Sequence, residues 1–593
     1  MLWARYTFGM NRLHRLPAFL SCVLLATMPL YAAKPVAAKK AAPQSVLLAT
    51  MQTELTRAMT SLGHPAVDAK ADSAQQPPYF ISYDVSDSYS TRITAEYGAL
   101  MNSTETHARM GDIQVRVGSP ALDNTHGTHR TSALSTIALP LEDDGAALAR
   151  SLWFATNRGY GNALQNYLQV KTETQVRAKE EDTSPDFSVE KPVTGALETP
   201  VTQEPIDRKA WEARLRAMSA SLRAYPDVFF DAVILTADSE NDYYVSSEGA
   251  MVISPMQRVR LVIVARTRAD DGMDLFRVVT YEAHVIAGLP AQAKVDADIA
   301  AMGKNLEDLR KAPLTEPFNG PAILSGRASA VFFHEVLGHR LEGQRQRGDE
   351  EGQTFTKDIG KPILPSFLSV ADDPTLSTFN GTQLSGHYDF DDEGEPARRV
   401  DLIDDGVLKT FLMSRLPIAN FANSNGHGRA QTGKLPTGRQ GNLIVTSSKT
   451  VSDAELRAML IAEAKKQNKA YGLYFEDISS GFAVTQRSSP QAFSVIPLVV
   501  YRVYVDGRPD ELVRGVSIVG TPQTVLNRIV ATDDSPQVFN GECGAESGTI
   551  PVSAIAPAML VSEMETQKQQ QGTARPPILP PPPADVPAAK EVR

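Results

Sequence analysis

LVVYRVYVDGRPDELVRGVSIVG, residues 498–520, carries strand-like runs on both sides of Asp506 and Gly507. Strand-like runs separated by Asp-Gly are the pattern of two antiparallel strands joined by a turn. RRVDLIDDGVLKTFLMS, residues 398–414, repeats the pattern around Asp404, Asp405 and Gly406. The second half of the chain therefore reads as mainly antiparallel β. Two helices interrupt it: SDAELRAMLIAEAKKQNKAYG, with Ser452 and Glu455 in capping-box spacing, and TPQTVLNRIVA, with Thr521 as cap and Pro522 behind it.

Upstream, FFDAVILTAD, NDYYVSSEGAMVIS and QRVRLVIVARTR give strands after a helix near residues 208–225. Near the start, YFISYDV, TRITAEYGALM and DIQVRVGS are strand-like, between helical patterns at residues 46–63 and 143–169. The fold class is α+β: an N-terminal α/β-type region with a mainly antiparallel sheet, then a mainly antiparallel β C-terminal domain. The expected boundaries are a signal peptide at 1–33, an N-terminal region at 34–175, a charged, proline-bearing linker or long loop at 176–205, and a middle region at 206–316. A C-terminal domain at 317–565 and a disordered proline-rich tail at 566–593 complete the chain.

At 593 residues, with 42% hydrophobic and 22% charged residues, the chain is long enough for several packed domains. Its formal charge of -10 opposes a phosphate backbone, so nucleic acid is not an expected partner. Arg5, Arg12 and Arg15 precede an uncharged apolar run, residues 16–33, ending in small residues. This reads as a secretory signal, with export to the periplasm or medium and no stable membrane span after its removal. Of the two cysteines, Cys22 leaves with that signal and Cys543 remains as a lone thiol.

VFFHEVLGHRLEGQ, residues 331–344, holds His334, Glu335 and His339. Zinc-protease histidines normally stand four apart; five apart on a regular helix puts the imidazoles about 140° from each other, too far round to share an ion. Ser325 is positioned to cap this helix, and Gly338 allows a π-type bulge or a break that would return His339 to the side of His334. A buried Glu335 costs several kcal/mol unless it is paired or working on a polar ligand. A catalytic zinc site needs a third donor, for which Glu342, Asp349, Glu350, Glu351 and the distant Cys543 are candidates. Loop residues His387, Tyr388, Asp389, His427 and Arg429 are secondary candidates for substrate contact. DFDDEGE, residues 389–395, lacks the EF-hand pattern and reads as a solvated turn.

HEVLGHRLEG resembles the HExxxH segment of the TldD/PmbA family of metallopeptidases. The likeness continues through GHYDFDDEGEPARRVDLIDDGVLKTFLMS, NSNGHGR, VRGVSIVGTPQTVLNRI and CGAESGTIPVS, five ordered segments over about 230 residues. The resemblance implies one zinc ion per chain held by His334, His339 and Cys543, with Glu335 as acid and base. It implies attack on unfolded or extended polypeptides, and a homodimer or a heterodimer with another family member. Because the full residue set is present, the chain resembles the catalytic, TldD-like branch, as an exported member. HEVLGH also resembles the hexapeptide of zinc dipeptidyl peptidases, which take a later glutamate as third ligand. A non-catalytic envelope binding or assembly protein, or the partner subunit of a peptidase, is the alternative of a different class.

Overall fold

The alternating stretches near the N-terminus belong to strands of up to 21 residues. The structure, a computed structural model, describes residues 45–64, 76–176, 183–347, 351–485 and 493–569; the expected signal peptide lies outside them. Pro78–Glu96 and Ala99–Ser119 form one hairpin, Val228–Ser246 and Met251–Arg268 a second, and the two are joined antiparallel through Pro78–Glu96 and Val228–Ser246. The first turn cuts TRITAEYGALM, which reads as a single strand. Tyr97 (φ 46°) and Gly98 (φ 74°) both adopt the left-handed region that a two-residue hairpin turn requires. Tyr97 is held there by Asp231, whose carboxylate accepts its N–H at 3.1 Å.

Period two sorts the faces of this sheet. Ile81, Tyr83 and Val85 pack under helices α1 (Val46–Ser61) and α2 (Gly145–Val176), while Ile93 and Ala95 pack under α3 (Arg208–Ser221) and α4 (Gln292–Lys311). The alternate positions, including Asp84, Glu240 and Asp242, line a cavity shared with the C-terminal half. Helix α4 has no counterpart among the expected elements, although Val295, Ile299, Met302 and Leu306 recur at steps of three and four. Residues 183–207 contain no helix, yet they are packed: Phe187 is buried between the guanidinium groups of Arg116 and Arg415.

From Phe318 onward the described chain builds two large sheets and two two-stranded ribbons. A six-stranded sheet ends at the strand Gln537–Ala545, which pairs only with Gly548–Ala556 among the described residues. In the other sheet Phe318–Leu324, Tyr471–Ala483, Phe493–Tyr504, Val516–Gly520 and Met559–Lys568 pair in sequence and close into a ring. Most pairings are antiparallel, as expected. Helix α5 (Gly326–Val336) packs between the two sheets, with Phe332 edge-on to Phe493. Helix α6 (Asp453–Lys466) forms the expected capping box between Ser452 and Glu455. The expected tail boundary at 566 falls inside the strand Met559–Lys568, and residues 570–593 lie outside the described residues. No helix among the described residues is long and apolar enough to cross a membrane.

Candidate metal centre

Ser325 caps α5 as its position suggests, its hydroxyl accepting the Ala328 N–H at 3.1 Å. The helix stops at Val336. Leu337 (φ -112°, ψ -53°) leads into a 3-10 turn over Gly338–Leu341. This break, not a π-bulge, brings His339 back: the two imidazole centroids lie 5.0 Å apart, inclined at 71°. Gly338 is required by contact, because a Cβ there would overlap the side chain of buried Gln440. Arg340 closes the broken helix end, its Nη1 donating to Glu335 O at 3.3 Å and Val336 O at 3.0 Å.

Cys543 arrives from the strand Gln537–Ala545, with Sγ 3.3 Å from His339 Nε2. One donor atom each from His334, His339 and Cys543 lies within 4.8 Å of the others, and the three residues are 4–6% exposed. Glu335 borders them, Oε2 standing 3.9 Å from His339 Nε2. Glu342 is not a donor of this set. Its Oε1 is 3.0 Å from His339 Nδ1 and its Oε2 accepts Arg345 Nε–H at 2.7 Å. Glu351 pairs with Arg345 at 3.7 Å, and Asp349 and Glu350 lie outside the described residues.

Charge is concentrated here. Burial alone would raise the Cys543 thiol, but His339 and His334 beside it hold it well below the usual range. Burial opposes charge on His339 too, and is outweighed by the Cys543 thiolate and Glu342, which push that imidazole well above its ordinary value. Burial likewise opposes ionisation of Glu342, and His339 and Arg345 overcome it, so Glu342 stays a carboxylate. A carboxylate only accepts; His339 Nδ1 therefore carries the proton, and Nε2 faces Cys543.

These residues fit a metal ion. Two imidazoles and a thiolate form a nitrogen–sulfur donor set of the kind that suits zinc, and His334 Nδ1 is buried without a hydrogen-bond partner among the described residues. A cleft of about 450 Å³ opens on the set, lined by Ser479–Ala483 on one side and Phe539–Ala545 on the other. Arg260, Val278 and Thr280, from the polar face of the first sheet, complete it.

The secondary candidates are not brought to this cleft. His387, Tyr388, Asp389 and Arg429 line the other cavity, of about 330 Å³. There Tyr388 stacks under the Arg429 guanidinium, 4.1 Å from its ring, and Arg429 pairs with Asp392. His427 is fully buried, 3.3 Å from Asp372 Oδ1, and does not line the cleft. Asp372 also accepts the N–H groups of Gly441 and Asn442, which anchors the segment carrying Arg439 and Gln440. The acidic run is not solvated: Asp391, Glu393 and Glu395 are buried, and Asp391 Oδ1 accepts the N–H groups of the other two. Arg340, Arg345, Arg439 and Gln440 brace the centre without any signal in their spacing.

Two imidazoles, a thiolate and an adjoining carboxylate, set on an antiparallel frame, form a candidate metal site. Residues 318–568 match the family model of the PmbA/TldA metallopeptidase C-terminal domain. The chain is 26% identical over 248 residues to the metalloprotease TldD homolog of Buchnera aphidicola from Acyrthosiphon pisum, covering 41% of this chain and 47% of that one. It is 27% identical over 248 residues to the Haemophilus influenzae homolog, with the same coverage. The chain thus spans about half the length of these relatives. In fold it is similar to TldE from Thermococcus kodakarensis, with a TM-score of 0.54 at 12% identity over 87% of this chain and all of that one.

Proposed function

We propose that the chain is a zinc-dependent metallopeptidase that hydrolyses peptide bonds in unfolded or extended polypeptides. The observation that carries this reading is the convergence of His334, His339 and Cys543 within 4.8 Å, beside Glu335 and at the floor of a cleft. A metal ion bound there supplies Lewis acidity and a water acidified to about pKa 7. Glu335 takes the proton of the attacking water and passes it to the departing amine, a role its place next to His334 permits.

The edge strand Gln537–Ala545 supports an extended substrate. Pro551 stands opposite Glu542 and has no N–H, so this is a non-bonded pair and the backbone groups of Glu542 point to the free edge. A peptide added along that edge gains main-chain hydrogen bonds with little side-chain selectivity, next to Cys543. Export of the chain, and pairing with a second copy or another family member, belong to the same reading and rest on the sequence.

The test is metal analysis of the purified chain together with hydrolysis of a casein-like unfolded substrate. Wild type is expected to hold one zinc and to lose activity on chelation. E335Q is expected to keep the zinc and lose about 10²–10⁴-fold in rate. Undiminished hydrolysis by zinc-loaded E335Q overturns the mechanism, and backbone N-methylation of the substrate without effect overturns edge pairing.

A further inference from the structure

Cys543 lies 204 residues from His339, and the two approach from different elements. Something must hold the strand against the helix turn to better than the tolerance of a metal bond. Two fully buried side chains stand at that junction. Glu342 Oε1 lies 3.0 Å from His339 Nδ1 and 3.5 Å from the Nε of Arg439. Arg439 Nη2 donates to the carbonyl oxygen of Cys543 itself at 2.7 Å, and its Nη1 donates to Ser547 Oγ at 2.8 Å and Gly548 O at 3.1 Å. Both sides of the turn in the hairpin carrying the thiol are thus gripped by one guanidinium, whose charge is balanced by the carboxylate that orients the imidazole.

We infer that Glu342 and Arg439 form a positioning pair that couples the imidazole half of the donor set to the thiolate half. The inference rests on the metal-centre reading above. Glu342 fixes the tautomer and azimuth of His339, as carboxylates behind metal-bound histidines do. Arg439 fixes the main chain of Cys543 through a planar fork that a lysine ammonium cannot reproduce. Neither residue touches substrate or the reacting atoms. The division of labour makes distinct claims: loss of the Glu342 charge weakens metal binding while the thiolate stays a ligand, whereas loss of the Arg439 fork perturbs the thiolate bond itself.

Chelator competition on the full chain measures the first effect, and the thiolate-to-metal charge-transfer band of the cobalt(II)-loaded protein measures the second. E342Q is expected to bind zinc about 10–100-fold more weakly and to retain the cobalt band. R439K is expected to weaken or shift that band. R116K, a substitution at a buried arginine that pairs with Asp123 and does not line the cleft, controls for general destabilisation and is expected to leave both readouts unchanged. If R439K does not fold, S547A, which removes one of the two oxygens that accept from Arg439 Nη1, carries the test and is expected to shift the band. Wild-type affinity in E342Q with an unchanged band in R439K or S547A overturns the pair while leaving the metal centre standing. A wild-type chain that binds no zinc or cobalt overturns the metallopeptidase reading and the pair with it.

Discussion

At Gly338 a single missing methylene decides whether the centre can exist. Substituting alanine forces Gln440 out of a buried position from which its Nε2 reaches the His334 carbonyl oxygen at 3.4 Å. G338A is expected to destabilise the fold by about 1–3 kcal/mol, read by urea denaturation, and to lower zinc content in the folded fraction. The same residue marks the limit of reading spacing alone. His334 and His339 are legible as a pair only if the helix breaks, and a sequence shows a glycine without showing what presses on it. Cys543 is legible as a lone thiol in need of a role. Glu342 is not legible as an orienting group, because spacing cannot separate a donor from the carboxylate behind a donor. His387, Tyr388 and Arg429 sit in stretches that read, from sequence, as suitable for a site as the one carrying Cys543; which cavity each faces depends on pairings made far away.

Local rules succeed where an element is decided by its own residues. Ser452 and Glu455 form a capping box on an exposed helix end, and S452A is expected to cost about 1 kcal/mol in urea denaturation without changing zinc content. Asp405 (φ 46°) and Gly406 (φ 79°) make the turn that their residue types announce. The same rules pass over Tyr97, whose left-handed backbone is maintained by Asp231 from a neighbouring strand. They also misplace the 389–395 run, because its carboxylates are charged in isolation and buried only once Arg415 donates its N–H to Glu393 Oε2, at 2.6 Å.

Across the whole molecule the two halves meet at that seam. Arg415, 2% exposed, pairs with Glu248 at 2.7 Å and covers Phe187, tying the first sheet and residues 183–207 to the second half. Burial, followed by the nearby charge of Glu190, pushes the Glu395 carboxyl up to about 7 from a usual value of 4.5. Between these values the folded chain holds a proton that the unfolded chain has released, so this contribution to stability is present at low pH and lost as pH rises through about 7. The urea midpoint is expected to fall from pH 6 to pH 8, and E395Q to flatten that dependence; an equal slope in E395Q would show that the carboxyl is not its source. Distance along the chain has a consequence in time as well. A ribosome makes α5 about two hundred codons before the Cys543 hairpin. Throughout that interval the nascent chain has both histidines and Glu335 but no thiolate opposite them, so the completed donor set is among the last features of the fold to form. Any chemistry that depends on it is deferred until the second half of the chain has been made and folded.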